Sequence, residues 1–364
     1  MRLGVEAAVV DGVLLAGDVE VADGRIVDVG LAGNGRGRIA VPGFVDLQVN
    51  GFASVDFLSA SREDYETAGA ALLATGVTAF QPTFICAPED DLAAALREVP
   101  QDWDGPRVVG AHLEGPFLSP SRLGTHPREF RRDPDLELLE RLLDAGPVSE
   151  MTIAPELPGA AAVIELLVER GIVVSAGHTN ATADEAHAAF DAGVSTVTHV
   201  FNAMRPFHSR DPGVAGAALV RNDVVVQMIL DGHHLAEETA RLVWAAARGR
   251  VALVTDATAA AGAGKGRFAL GPVEIEVDGD GVPHRADGVI AGTVLTMIEA
   301  VRNLHALGVD LADAVGAASE IPARLLGRDD LGRLAPGAPA DVVVLDDALE
   351  VVEVVLGGVS RVLA

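Results

Sequence analysis

The sequence holds one cysteine, Cys86, so no intrachain disulfide can form, and this suits a reducing compartment such as the cytoplasm. Positive charge is scarce as well. Against 53 aspartates and glutamates stand 27 lysines and arginines, a net charge of −26. A surface of that sign repels phosphate backbones and anionic lipid, which argues against nucleic acid or a membrane surface as partner. An anionic small substrate would need a local cationic pocket. No run of 18 consecutive apolar residues occurs, so no transmembrane helix is expected. The opening MRLGVEAAVVDGVLLAGD places Glu6 and Asp11 inside its apolar run and does not read as a signal peptide. Short repeats and low-complexity segments are missing, and the glycine-rich runs at 33–38 and 262–267 read as loops. The second of them lacks the strand–loop–helix setting of a nucleotide-binding loop.

What is present is a long chain of 364 residues, 49% hydrophobic, ample for one large α/β domain and a smaller appendage. The first 40 residues read as short strands (VEAAVVDG, VLLAGDVEVADG, RIVDVG) with hairpin signals at Asp11-Gly12 and Asp23-Gly24. The far end matches them in ADVVVLD and LEVVEVVLGG. Two β-rich ends around a different middle predict one small sheet domain built from residues 1–41 and 331–364. Between them, residues 42–330 alternate strand and helix. Eight strand candidates are FVDLQVN, VTAFQPTF, RVVGAHLE, SEMTIAPE, IVVSAGH, TVTHVFN, VVVQMILDGHH and VALVTDA, and helix-like stretches such as DLELLERLLDAG lie between them. Eight βα units predict a (β/α)8 barrel, whose chemistry sits where the strands end.

Polar residues end those apolar strands: Gln48 and Asn50 on the first, Glu114 on the third, His178 on the fifth, His199 on the sixth, Asp231, His233 and His234 on the seventh, Asp256 on the eighth. On one rim they cost stability and make sense as a site. Glu114, His178 and His199 form a carboxylate–imidazole–imidazole set that leaves a metal position open for water. Such a metal brings the pKa of its water to about 7, and Asp256 has the right type and place to move the proton. Plainer readings stand beside these. The two histidines could be core residues bonded to carbonyls, Asp256 a cap, His126 a surface loop residue, and Arg210 a partner of Asp211. His112, His187, His208, His233, His284 and His305 read as structural or solvent-exposed, and Cys86 as packing.

The segments GAHLEGPFLSP, SAGHTNAT, THVFNAM, LVTDATAAAG and AGTVLTMIEAVRNL, with GTH ten residues after Glu114, resemble the signatures of the N-acetylglucosamine-6-phosphate deacetylases of the amidohydrolase superfamily. The resemblance spans nearly the whole chain. It implies a metal-dependent barrel with a small β-domain from both ends, acting on a phosphorylated amino sugar in the cytoplasm. It implies Glu114, His178 and His199 as ligands of one divalent metal per subunit (zinc first, otherwise iron, manganese or cobalt), Asp256 as acid/base and His126 at the acetyl carbonyl. Thr125, Asn202 and Ala203 would meet the sugar, and Ile290, Ala291 and Gly292 would line the acetyl end. Arg210 and His234 would contact the phosphate, one of them across a homodimer interface. Many superfamily members carry His-x-His after strand one; here that place is Gln48-Val49-Asn50. Amides are poor zinc ligands, so a single metal is expected, with Gln48 and Asn50 behind it. A cyclic-amide hydrolase or deaminase on the same barrel is the alternative enzyme; those usually show that His-x-His and often a lysine on strand four, where this chain has EMTIAPE. A non-catalytic binding protein on the fold would be expected to have lost a ligand or the strand-eight aspartate, and none is lost.

Overall fold

The computed structural model describes residues 1–33, 35, 37–279 and 281–362. Its centre is a ring of eight parallel strands: Phe44–Val49 (β1), Val77–Phe84 (β2), Ala111–Glu114 (β3), Val148–Ile153 (β4), Val173–Ala176 (β5), Thr196–Val197 (β6), Val225–Met228 (β7) and Val251–Leu253 (β8). Every residue of β1 and β2 is buried, as strands covered on both faces require. Neighbouring strands pair in chain order from β1 to β8. The ring closes between β8 and β1 through one parallel bridge, Val49 to Ala257, and through Thr255, whose hydroxyl donates to Asp46 Oδ2 at 2.6 Å. Helices follow most strands, among them Ala183–Asp191 (α1) between β5 and β6 and Glu237–Ala247 (α2) between β7 and β8. A capping box starts α1: the Thr182 hydroxyl accepts from the Glu185 N–H, and the Glu185 carboxylate accepts from the Thr182 N–H.

Both chain ends meet in a second body. Strands 13–16, 7–10, 38–42, 342–346, 351–356 and 359–362 lie side by side in that order, and strands 18–22 and 25–31 form a separate antiparallel pair. Val5, Val19, Ile26, Val342 and Val344 fill the core of this body. The two Asp-Gly pairs turn as expected. Asp11 and Gly12 have φ of 46° and 74°, Asp23 and Gly24 of 50° and 73°, the left-handed pair that a tight hairpin needs. Sheet membership changes between Pro42 and Phe44, and we propose residues 42–330 as one folding unit and 1–41 with 331–364 as the other.

Two features differ from the sequence expectation. Strand 38–42, central in the terminal sheet, is a strand of its own; its apolar run continues straight into β1 and conceals the boundary. The run at 262–267 is a loop only in part, because Gly266 and Arg267 open a three-stranded antiparallel sheet of 266–270, 273–277 and 283–284. Leu270, Ile275 and Ala291 of this insertion pack on Ile85, beyond the end of β2. Of the run at 33–38, Asn34 and Arg36 lie outside the described residues.

Candidate active site

The parallel register brings the strand ends level: Glu114 pairs with Thr152, Ile153 with Ala176, Ala176 with Val197 and Met228 with Leu253. Just past those ends the chain turns sharply. His178, His199 and Asp256 have φ of 46°, 29° and 49°. Left-handed backbone at a non-glycine residue costs about 1–2 kcal/mol, and three such residues on one rim are strain held in place by the surrounding packing.

Glu114 Oε1 lies 3.1 Å from His178 Nε2 and 2.9 Å from His199 Nε2, all three residues being buried. One ligand atom from each of the three falls within 4.8 Å of the others. His178 Nδ1 lies 2.9 Å from the Arg122 carbonyl, which fixes the proton there and leaves Nε2 its lone pair. Burial and the neighbouring His126 push the His178 imidazole down to about 4, so it is neutral near pH 7. Burial would raise the Glu114 carboxyl, but the neighbouring His126, His178 and His199 rings hold it well below the usual range. One carboxylate and two neutral-capable imidazoles facing a common point fit a divalent metal. Gln48 Nε2 donates to Glu114 Oε1 at 3.2 Å from behind.

Asp256 stands on the same cavity wall. Its Oδ1 accepts from Asn50 Nδ2 at 2.7 Å. Burial, then the Glu114 charge, raise the Asp256 carboxyl to about 6 against the pull of His199, His234 and Asn50. A carboxyl tuned towards neutrality is suited to accept and return a proton. The third imidazole, His126, accepts the Cys86 N–H at Nδ1 (3.2 Å), so Nε2 carries the hydrogen and faces the site 3.5 Å from Glu114 Oε2. It is a built donor.

These groups line a cavity of about 330 Å³. Thr125, Asn202, Ala203, His234, Ile290 and Gly292 line it too, as do Ile85, Gly124, Leu270 and Val289, which sequence reasoning did not single out. Leu270 and Val289 arrive through the insertion, and no local signal in the sequence ties that segment to the rim. Ala291 is fully buried behind the wall in the Ile85 cluster. His233, read as structural, is exposed at the cavity mouth. Arg210 stands apart: it is exposed, does not line the cavity of its own chain, and its side chain has no partner among the described residues. Asp211 pairs instead with Arg205, through Nε at 2.8 Å and Nη2 at 2.5 Å. His112 is buried in the barrel, with Nε2 2.8 Å from the Thr152 hydroxyl.

The family model described as "Amidohydrolase family" matches residues 39–360. An N-acetylglucosamine-6-phosphate deacetylase of Rattus norvegicus is 38% identical over 95% of this chain and 92% of its own. An N-acetylgalactosamine-6-phosphate deacetylase of Escherichia coli O157:H7 is 36% identical over 88% of this chain and 87% of its own. Among solved structures, an Asp→Ala mutant of N-acetyl-D-glucosamine-6-phosphate deacetylase from Mycobacterium smegmatis, in complex with N-acetyl-D-glucosamine-6-phosphate, superposes with a TM-score of 0.95 at 38% identity, covering 100% of this chain and 99% of its own. The barrel, the rim of strand-end carboxylates and imidazoles and these matches agree along the chain's length: it belongs to the amidohydrolase family.

Proposed function

We propose that this protein hydrolyses the acetamido group of N-acetyl-D-glucosamine 6-phosphate, giving D-glucosamine 6-phosphate and acetate. The observation that carries the reading is the juxtaposition, in one cavity, of the Glu114–His178–His199 donor set with Asp256 and the Nε2–H of His126. The solved relative bound to the phosphorylated sugar supports the substrate. Glu114, His178 and His199 would hold one divalent ion, which supplies Lewis acidity that acidifies water and polarises a carbonyl. We assign zinc to it, with iron, manganese and cobalt as alternatives that the same donors accept.

The chain's own residues do the rest. Asp256 takes the proton of the attacking water and returns it to the nitrogen as the C–N bond breaks; without that proton the leaving group would be a strongly basic amide anion. Asn50 holds the Asp256 carboxylate at Oδ1 and so leaves Oδ2 to the reaction. His126 donates from Nε2 to the acetyl oxygen as negative charge grows on it. Thr125, Asn202 and Ala203 frame the sugar, Ile290 and Gly292 exclude water at the acetyl end, and Ala291 packs behind them. His234 meets the phosphate. Arg210, exposed and outside its own cavity, reaches the phosphate of a second copy in a homodimer, a reading its exposure supports. The single buried thiol suits a cytoplasmic enzyme.

The test is acetate release from N-acetylglucosamine 6-phosphate, N-acetylgalactosamine 6-phosphate and unphosphorylated N-acetylglucosamine, with metal content measured on the same sample. Fast turnover of the first with about one metal per chain is the expected result. Faster turnover of the galacto sugar would reassign the substrate, a reading that the Escherichia coli relative makes specific. No turnover by fully metallated protein would end both readings.

A further inference from the structure

Holding a phosphate here is an electrostatic problem. The cavity wall carries no lysine or arginine among the described residues, in a chain of net charge −26. Of this wall's own side chains only imidazoles can supply positive charge, Arg210 coming in the proposed homodimer from a second copy. His178 and His199 turn Nε2 towards Glu114, and His126 takes the Cys86 N–H at Nδ1 and keeps Nε2–H beside Glu114 for the acetyl end. The His233 ring is exposed and makes no hydrogen bond among the described residues. His234 remains, and its ring is held. Nδ1 lies 2.7 Å from Asp231 Oδ2, while Asp231 Oδ1 accepts the backbone N–H of both His233 and His234 at 2.9 Å. Both side chains are about nine-tenths buried, at 10% exposure each. Burial alone would raise the Asp231 carboxyl, but the His234 hydrogen bond and charge, with the two N–H groups, bring it down to about 2.

We infer that Asp231 is a positioning residue for phosphate selectivity: it takes the Nδ1–H of His234, turns Nε2 into the cavity, and is the counter-charge for an imidazolium that grips the 6-phosphate. The inference rests on the assignment of the phosphate contact to His234. An imidazole whose Nδ1–H is given away offers Nε2 either as a lone pair, which repels phosphate oxygens, or as N–H of the charged ring, which binds them. Phosphate binding at Nε2 therefore selects the charged ring, and the Asp231 carboxylate 2.7 Å from Nδ1 stands where its counter-charge is needed. Charge-assisted hydrogen bonds to phosphate are roughly twice as strong as neutral ones.

Asp231→Asn isolates the charge. Its oxygen still accepts the two backbone N–H groups, while its amide can only donate to Nδ1, leaving a neutral ring with Nε2–H in the cavity. The measurement is steady-state kinetics of metal-loaded protein on phosphorylated and unphosphorylated N-acetylglucosamine, with inorganic phosphate as inhibitor. The expected result is a KM for the phosphorylated sugar raised about tenfold and phosphate inhibition weakened alike, with kcat and the neutral sugar's KM within about twofold. Asp231→Ser, which keeps an acceptor for the turn without a carboxylate, should behave the same and serves if the asparagine variant does not fold. An equal fall in kcat on both sugars, or an unchanged preference, would make Asp231 a structural residue of the 231–234 turn and overturn the inference. His234→Gln separates the two levels. If it abolishes the preference while both Asp231 variants keep it, the inference alone fails; if it leaves the preference intact, the phosphate assignment fails and the inference with it.

Discussion

In the proposed reaction the proton work falls on one carboxyl, Asp256, which stands outside the Glu114–His178–His199 grouping. Among the described residues its one side-chain hydrogen bond comes from Asn50. Asp256→Asn should therefore keep the metal and the fold while lowering kcat by about 10²–10⁴, the usual worth of a positioned general acid–base. Metal analysis and acetate release on one sample check this, and near-normal turnover would hand the proton work to another group. The Glu114–His178–His199 grouping was legible in the sequence because a polar residue at the end of an apolar strand is an anomaly that burial must explain: Glu114 ends β3, and His178 and His199 lie two residues past β5 and β6. Asp231 showed the same anomaly without a role, since its meaning depends on the ring three residues on turning back to it.

Strands β2, β4 and β7 send polar side chains into the barrel, and here element and stability meet. Glu150 of β4 is fully buried between two amides: Gln227 Nε2 donates to Oε1 at 2.6 Å, and the Gln81 amide nitrogen, turned to suit its neighbours, donates to Oε2 at 3.0 Å. Burial, with the Glu114 charge adding, raises the Glu150 carboxyl to about 8. The folded state then binds a proton that the unfolded chain releases near pH 4.5, so stability falls as pH climbs from about 4.5 to 8 and stays low beyond. Glu150→Gln removes that ionisation. Its Tm should match the parent at pH 5 and exceed it by a few degrees at pH 9, a scale set by roughly a few kcal/mol of linkage. Parallel Tm curves across pH would rule Glu150 out as the source. Element identity was otherwise easier to read than element limits. The Asp-Gly hairpins and the (β/α)8 alternation follow from local pattern, whereas strand 38–42 hides inside one apolar run and the insertion strands 266–270 and 273–277 alternate on a sheet whose partner is the distant Ile85. Contacts between segments far apart in sequence decide such elements, and periodicity carries no trace of them.

Over the whole molecule, the net charge of −26 sets the terms on which an anionic substrate arrives. Screening reaches about 30 Å at 0.01 M salt and about 8 Å at 0.15 M. At low salt a phosphorylated sugar feels the sum of the acidic surface well before it meets His234, and the sum is repulsive. Added salt removes most of that barrier, yet leaves contacts inside the cavity nearly untouched because buried pairs are screened far less. The usual dependence for charged ligands, steering that weakens with salt, should therefore run backwards here. kcat/KM for N-acetylglucosamine 6-phosphate should rise roughly twofold or more between 0.01 and 0.15 M sodium chloride, with the unphosphorylated sugar flat over the same range. The neutral sugar separates this field effect from any action of salt on the fold or on the metal. A fall with salt for the phosphorylated sugar alone would mean that cationic groups at the mouth outweigh the surface on approach. Arg210 is the exposed cation nearest in sequence to the cavity residues Asn202 and Ala203, so Arg210→Ala in the same titration should turn such a fall back into a rise.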